Sequence, residues 1–363
     1  MLFDLKPKTK REELFGRQRE LDNLLSSMMK YPLTLIAGVR RIGKTSLLKT
    51  ALGECTHPVM YLDARRLEEE GYTRQALYEL FSEELSSAGG LWFKAKDYLK
   101  RVKGVHLGLV GVDIDWDKGG ARLSSLFRAL DEWASEQGKV LVIAVDEAQV
   151  LRRLAGGKGR INFVQLIAYS YDNLTNTRFV LTGSEVGLLH EFLGLENPES
   201  ALYARGYNTI TLERFDRETS LGFLEAGFRE LGVKVSKELL NEVVGRLDGL
   251  VGWLTLFGYT ASEGGAEVVL EEVLRKSKGI VKKEIDAVLR RSNHYKPILK
   301  ALSQGKSGWS QLKRELINQT GRFISDAQFN RALTTLVSLS LVEHNQNGYI
   351  IPDPILAEVA TEL

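Results

Sequence analysis

The stretch Leu33–Thr45, LTLIAGVRRIGKT, constrains this chain more than any other. A short apolar run (Leu33, Leu35, Ile36, Ala37) stops at Gly38, and Gly43-Lys44-Thr45 complete the spacing G-x-x-x-x-G-K-T. Ser46-Leu47-Leu48-Lys49 then reads as the start of a helix. Strand, glycine-flanked loop and helix in that order let consecutive backbone N–H groups converge on a phosphate at the positive end of the helix dipole. The pattern predicts a nucleotide site built from Gly38, Val39, Arg40, Arg41, Ile42, Gly43, Lys44, Thr45 and Ser46. Lys44 is expected to reach the β- and γ-phosphates, and Thr45 to offer its hydroxyl to Mg²⁺.

A second run, KVLVIAVDEAQ, begins at Lys139. Val140–Val145 is continuously apolar, as in a strand covered on both faces of a parallel sheet, and it ends in Asp146-Glu147. A carboxylate at that strand end, beside such a loop, is placed to hold Mg²⁺, and its neighbour to polarise an attacking water. Asp146 is therefore the expected metal ligand together with Thr45, and Glu147 the expected base. Arg178–Ser184 (RFVLTGS) is another buried strand, ending in small polar residues. Ser184, or failing it Thr182, is the expected reporter on the γ-phosphate. Tyr203-Ala204-Arg205 precedes a fifth short strand, Tyr207–Leu212. Two roles are open to Arg205: a surface ion pair, or catalytic stabilisation of charge on the leaving phosphates.

Composition narrows the setting. With 363 residues there is chain for two or three domains. Lys+Arg 49 against Asp+Glu 47 leaves a formal +2, so nucleic-acid contact has to be argued from local charge. The lone cysteine, Cys55, cannot form an internal disulfide and fits a reducing, cytoplasmic setting. The start MLFDLKPKTKREELFG has no apolar leader core, and no uninterrupted apolar run approaches the roughly 18 residues of a membrane span. The five histidines are scattered without partnering cysteines, so no zinc site is expected.

Around the motifs, Glu12–Met29 has helical spacing, with Phe15–Glu20 as its turn and start. Pro58–Asp63 reads as a second parallel strand, and Arg74–Ser87, Ala121–Gln137, Phe163–Asn173 and Glu185–Phe192 as helices. Gly104–Trp116 alternates in a way that predicts a β-hairpin, either structural or a partner-binding edge. Leu151–Arg160 is Gly-rich and basic, and reads as a mobile loop close to the acidic pair. Past Phe215 strand runs cease. Helices are expected at Arg217–Glu230, Ser236–Leu247, Leu254–Ser262 and Ala266–Ser277, with Leu247–Leu254 as a glycine-spaced connection. The last segment predicts helices over Tyr295–Gln304, Gly308–Ile317 and Ser325–Leu341, then a hairpin over Val342–Ile351 turning at Asn347-Gly348. Three helices and a two-stranded wing describe a winged helix-turn-helix. Arg290–Leu363 holds nine Lys/Arg against six Asp/Glu; its third helix carries only Arg331 as a cation, with Gln328 and Asn330 as candidate base readers.

In this order the motifs resemble an archaeal-type ATPase of the AAA+/STAND P-loop class over nearly the full chain. The resemblance rests on Phe15-Gly16-Arg17, Gly38–Thr45 with its paired Arg40-Arg41, Val145–Gln149, Leu202–Arg205 and Leu247–Leu254. It implies an α/β core with sheet order 5-1-4-3-2 over residues 1–213, a helical lid over 214–289 and a winged helix over 290–363. It also implies that Phe15, Gly16 and Arg17 lie near the adenine, that Asp146-Glu147 is the Walker B pair, and that Ser184 or Thr182 is sensor 1. Two departures stand out: Gly249-Leu250-Val251 replaces a lid Gly-x-Pro, and Tyr203-Ala204-Arg205 replaces Tyr-Gly-Arg. The expected activity is Mg²⁺-dependent ATP binding and hydrolysis driving a conformational switch. Two other readings stay open: a duplex-DNA-binding ATPase similar to origin-recognition and helicase-loading proteins, and a STAND-like scaffold that binds protein or forms a nucleotide-dependent homo-oligomer.

Overall fold

The computed structural model describes residues 1–87, 94–108, 111–115, 120, 122–156, 161–184, 186–264 and 266–363. Its strands in chain order are β1 (Leu33–Ala37), β2 (Val59–Asp63), the pair β3 (Val105–Leu107) and β4 (Val112–Ile114), β5 (Leu141–Asp146), β6 (Thr177–Thr182), β7 (Asn208–Thr211), and the pair β8 (Glu343–Asn345) and β9 (Gly348–Ile350). Five of them form one parallel sheet in the order β2-β5-β6-β1-β7. Counted among those five, this is the expected 5-1-4-3-2. The longer helices are α1 (Gln18–Lys30), α2 (Lys44–Glu54), α3 (Arg74–Ser87), α4 (Leu123–Glu136), α5 (Phe163–Asn173), α6 (Val186–Leu193), α7 (Arg217–Leu231), α8 (Lys237–Leu247), α9 (Val251–Gly264), α10 (Ala266–Leu289), α11 (Tyr295–Ser303), α12 (Trp309–Thr320), α13 (Asp326–Ser338) and α14 (Pro354–Thr361).

The apolar strand runs are continuous because both sheet faces are covered. Leu141, Ile143 and Val145 of β5 enter the core with α3, α4 and α5, while Val142 and Ala144 enter the opposite core with α1, α2 and the lid helices. Side chains alternate faces with a period of two, so each strand contributes to both layers. Because the strands run parallel, the carboxyl ends of β1, β5 and β6 lie side by side, and the phosphate loop and the Asp146-Glu147 pair sit on that edge.

Several boundaries differ from the sequence reading. The fourth lid helix runs on to Leu289, because Val281 and Ile285 continue its buried stripe beyond Ser277. The third begins at Val251, so the glycine connection shrinks to residues 248–250. Ala148–Gly156 is a tight helical segment and not an open loop, since Leu151 and Leu154 are buried in the core. The rest of that expected loop, 157–160, lies outside the described residues, as do Leu109, Val110 and Trp116 of the hairpin region, Ala121 and Glu185. The hairpin itself is present, pairing Val105 with Ile114, and it packs through Ser82 and Ser86 of α3.

Past the lid, α11, α12 and α13 enclose their own core around Ile298, Leu312, Phe329 and Leu336, and β8–β9 follows as an antiparallel pair. The final helix α14 was not read from sequence. Its Ile355, Leu356 and Val359 pack into the lid core while Ala360 joins the C-terminal core, so it ties the two together. A second tie is α6 against α13: a Cβ on Gly187 would lie 2.4 Å from Ser338 Cα. Gly187→Val is expected to cost about 1–3 kcal/mol by overpacking and to speed proteolysis of the connection 290–294 several-fold. Unchanged cleavage would show that the core does not restrain α13 through this contact.

Candidate active site

The loop after β1 is shaped by steric exclusion. Gly38 has φ 147° and packs so closely that a Cβ would lie 2.8 Å from the Leu212 carbonyl oxygen, so only glycine fits. Arg41 takes a left-handed φ of 65°, an uncommon state for a side-chain-bearing residue. Lys44 is 6% exposed, and its Nζ donates to the Gly38 and Val39 carbonyls at 2.7 Å each. Burial lowers its ammonium to about 8, although Glu147 and Asp146 pull the other way.

Asp146 is fully buried at the end of β5 and is held from three elements. Thr45 Oγ1 donates to its Oδ2 at 2.8 Å, Tyr61 Oη donates to the same atom at 3.3 Å, and Thr182 Oγ1 donates to Oδ1. Thr182 also accepts from the Glu147 backbone N–H at 3.1 Å. Glu147 adopts φ 54°, which turns its side chain off the strand axis. Its Oε2 accepts from Gln149 Nε2 at 2.5 Å, Ser184 Oγ at 2.8 Å and Ser184 N at 3.2 Å. Burial pushes this carboxyl up, but Gln149, Lys44 and Ser184 outweigh it and hold it below the usual range.

Lys44, Thr45, Glu147, Gln149 and Ser184 line a cleft of about 570 Å³ between core and lid, with Asp146 buried behind Thr45 and outside the lining. Arg40 to Ser46, Glu147, Gln149 and Ser184 form its floor, and Val251, Gly252 and Thr255 of the lid face them. Phe15, Phe215 and Phe223 supply an apolar end, joined by Leu2 to Lys8 of the N-terminal segment. That segment is anchored by Phe3, fully buried against Phe223 and Phe228, and by the Lys8 N–H bonded to Ser46 Oγ at 3.1 Å. Thr45 and Asp146 present oxygen donors 2.8 Å apart, the hard-ligand chemistry that suits Mg²⁺ when phosphates and water complete the shell.

Most of the sequence-chosen residues converge here, with informative exceptions. Ser184 reaches the cleft, whereas Thr182 is spent on Asp146 and Glu147. Arg17, although largely buried, lines the cleft beside Phe15, its guanidinium 4.6 Å from the Phe215 ring and donating to the Glu213 carbonyl at 2.6 Å. Gly16 turns at φ 66° beside Phe215 and Thr219. Arg205 does not line the cleft. It makes a forked pair with Asp172 at 3.1 and 2.6 Å, the surface role. Gln149, Tyr61, Glu284, Trp253 and Asp353 were missed. Gln149, Tyr61 and Trp253 stand inside stretches named above, but nothing local marks their side chains, and Glu284 and Asp353 reach the site through the fold alone.

A phosphate loop, a strand-end acid pair and a lid over one cleft define a P-loop ATPase. The chain belongs to the family of ATPase domains found predominantly in Archaea, which matches residues 14–257. It is similar to the Walker-type ATPase PABY2304 of Pyrococcus abyssi, at 36% identity over 99% of each chain and a TM-score of 0.85. The ORC2 protein of Aeropyrum pernix, solved in ADPNP–ADP complexes, shares the fold at 16% identity, with 99% of this chain and 95% of that one covered and a TM-score of 0.58. Among curated proteins none matches. Among the described residues no helix is long and apolar enough to cross a membrane. Lys44→Ala is expected to weaken ATP binding tenfold or more in a fluorescent-nucleotide titration, because it removes a buried ammonium held along the phosphate loop.

Proposed function

We propose that this ATPase is a Mg²⁺-dependent switch in which the nucleotide state of the cleft sets the pose of the lid and the C-terminal segment. The observation that carries the reading is the bonding of Arg41. This loop residue donates to Glu284 of α10 at 2.5 Å, pairs with Asp353 at 3.4 Å and stacks 4.2 Å over the Trp253 ring. Trp253 Nε1 also donates to Asp353 at 3.1 Å, and Asp353 caps α14. Gly252 N donates to the Arg41 carbonyl at 2.9 Å, so the lid grips the loop through backbone as well. Phosphate loop, lid and C-terminal helix thus meet on one side chain. A nucleotide that prefers one loop conformation biases all three by its differential affinity.

In this reading Lys44 and the loop amides hold the phosphates, and Glu147 accepts a proton from the attacking water. Thr45 and Asp146 hold Mg²⁺, which neutralises phosphate charge. Ser184, bonded to Glu147, reports on the γ-phosphate. The units would be the core 1–213, the lid 214–289 and a winged helix 290–363, with α14 folded back on the lid. Glu147→Gln is expected to keep ATP affinity within about twofold and to cut turnover at least a hundredfold; normal turnover would overturn the assignment. Asp353→Asn is expected to leave nucleotide affinity in place while reducing the nucleotide-dependent change in protease sensitivity of the C-terminal segment. An unaltered change would remove Arg41 as the link.

A second reading, duplex-DNA contact, is favoured by Phe323. It is 84% exposed in the turn between α12 and α13, with Arg314 and Arg322 exposed nearby and Lys313 Nζ 5.6 Å from its ring. Gln328 and Asn330 support it less, because Gln328 closes the capping box of α13 and Asn330 accepts from Trp309 at 2.6 Å. Duplex binding that falls steeply with salt and is lost in Arg314→Ala/Arg322→Ala is expected on this reading. Absence of binding at low salt would leave a protein partner or a second copy, the latter testable by gel filtration with ADP and a non-hydrolysable ATP analogue.

A further inference from the structure

The amide of Gln149 has a bonding arrangement that the scheme above leaves unused. A carboxylate only accepts, so Gln149 must turn its NH₂ toward Glu147 Oε2, 2.5 Å away. That choice leaves Gln149 Oε1 buried without a protein partner. Gly183 makes the pose possible, since a Cβ there would come within 2.8 Å of that oxygen. Burying a carbonyl without a donor is unfavourable, and a leucine of similar size would avoid the cost. The compensation is the charge-assisted bond to Glu147, stronger than a neutral one.

From this geometry we infer that Gln149 is a positioning residue for hydrolysis, holding the Glu147 carboxylate across the gap between the ends of β5 and β6. Gln149 secures it from the β5 side and Ser184 from the β6 side, so Glu147 is gripped from both strand ends. With Ser184 alone the carboxylate can swing about its left-handed backbone. Small misplacements of a reacting group lower the rate while leaving substrate binding intact. The inference rests on Glu147 acting as the base.

The test compares Gln149→Leu, Gln149→Glu, Glu147→Gln and the Gln149→Leu/Glu147→Gln double variant in the full chain, with turnover and affinity for a fluorescent ATP analogue measured separately. Gln149→Glu keeps the shape and, in its ionised form, cannot donate, so it is assayed at alkaline pH as a guard against a folding failure of the leucine. The expected result is a loss of kcat of about tenfold or more in both Gln149 variants, affinity within about twofold, and no further loss when Gln149→Leu is added to Glu147→Gln. Wild-type kcat in either Gln149 variant, or an equal loss on the Glu147→Gln background, would overturn the role of Gln149 while leaving Glu147 in place. Full turnover in Glu147→Gln would overturn the base assignment and this inference with it.

Discussion

The buried carboxylate of Asp146 is the constraint on which the rest of the site depends. An ionised group with no exposure is costly unless its oxygens are met by donors. Here the donors come from three places in the chain: Thr45 on α2, Tyr61 on β2 and Thr182 on β6. Satisfying one acid therefore fixes the spacing of the phosphate-loop helix and two neighbouring strands. Glu147 inherits this order, because its backbone N–H is held by the same Thr182 that bonds to Asp146.

Above that rigid floor the lid is held by softer means. Its helices share one apolar core with α1, α2 and the N-terminal segment, where Phe3 is inserted beside Gly227 and Gly258. The polar link is Arg41, whose guanidinium meets carboxylates from the lid and from the cap of α14 while lying over an indole face. Arginine suits this place because its planar fork pairs with two acids and stacks at once. A lysine would keep the charge and lose the geometry. Burial pushes the Asp353 carboxyl above its usual range, and the opposing pull of Arg41 and Trp253 offsets this only in part.

The P-loop, the acid pair and the presence of the four lid helices are legible because each is written in a contiguous stretch, whereas the strand order follows only from the family resemblance. Strand runs such as Val140–Val145 are continuous only where both faces are covered, and glycine at 38 and 43 admits the positive φ that the phosphate loop requires. Legibility failed at three kinds of place. The end of α10 was missed because its stripe thins among charges after Ser277. The helical turn that runs from Ala148 to Gly156 reads as loop from Leu151 onward because its glycines and cations outweigh Leu151 and Leu154 in the local pattern. Arg205 was left with two roles because sequence cannot say that Asp172, on α5, lies within reach.

The sequence by itself determined a phosphate-binding loop, a strand-end acid pair and a parallel sheet covered on both faces, since these follow from residue type and spacing over a few turns of chain. Only the tertiary structure decided that Arg41 bonds to Glu284 and Asp353, that Gln149 and Ser184 grip Glu147 together, and that α14 returns to the lid. Those contacts join residues far apart in the chain, up to 312 positions for Arg41 and Asp353. No local propensity encodes such pairs; they arise when apolar faces choose their partners and carry the polar groups with them.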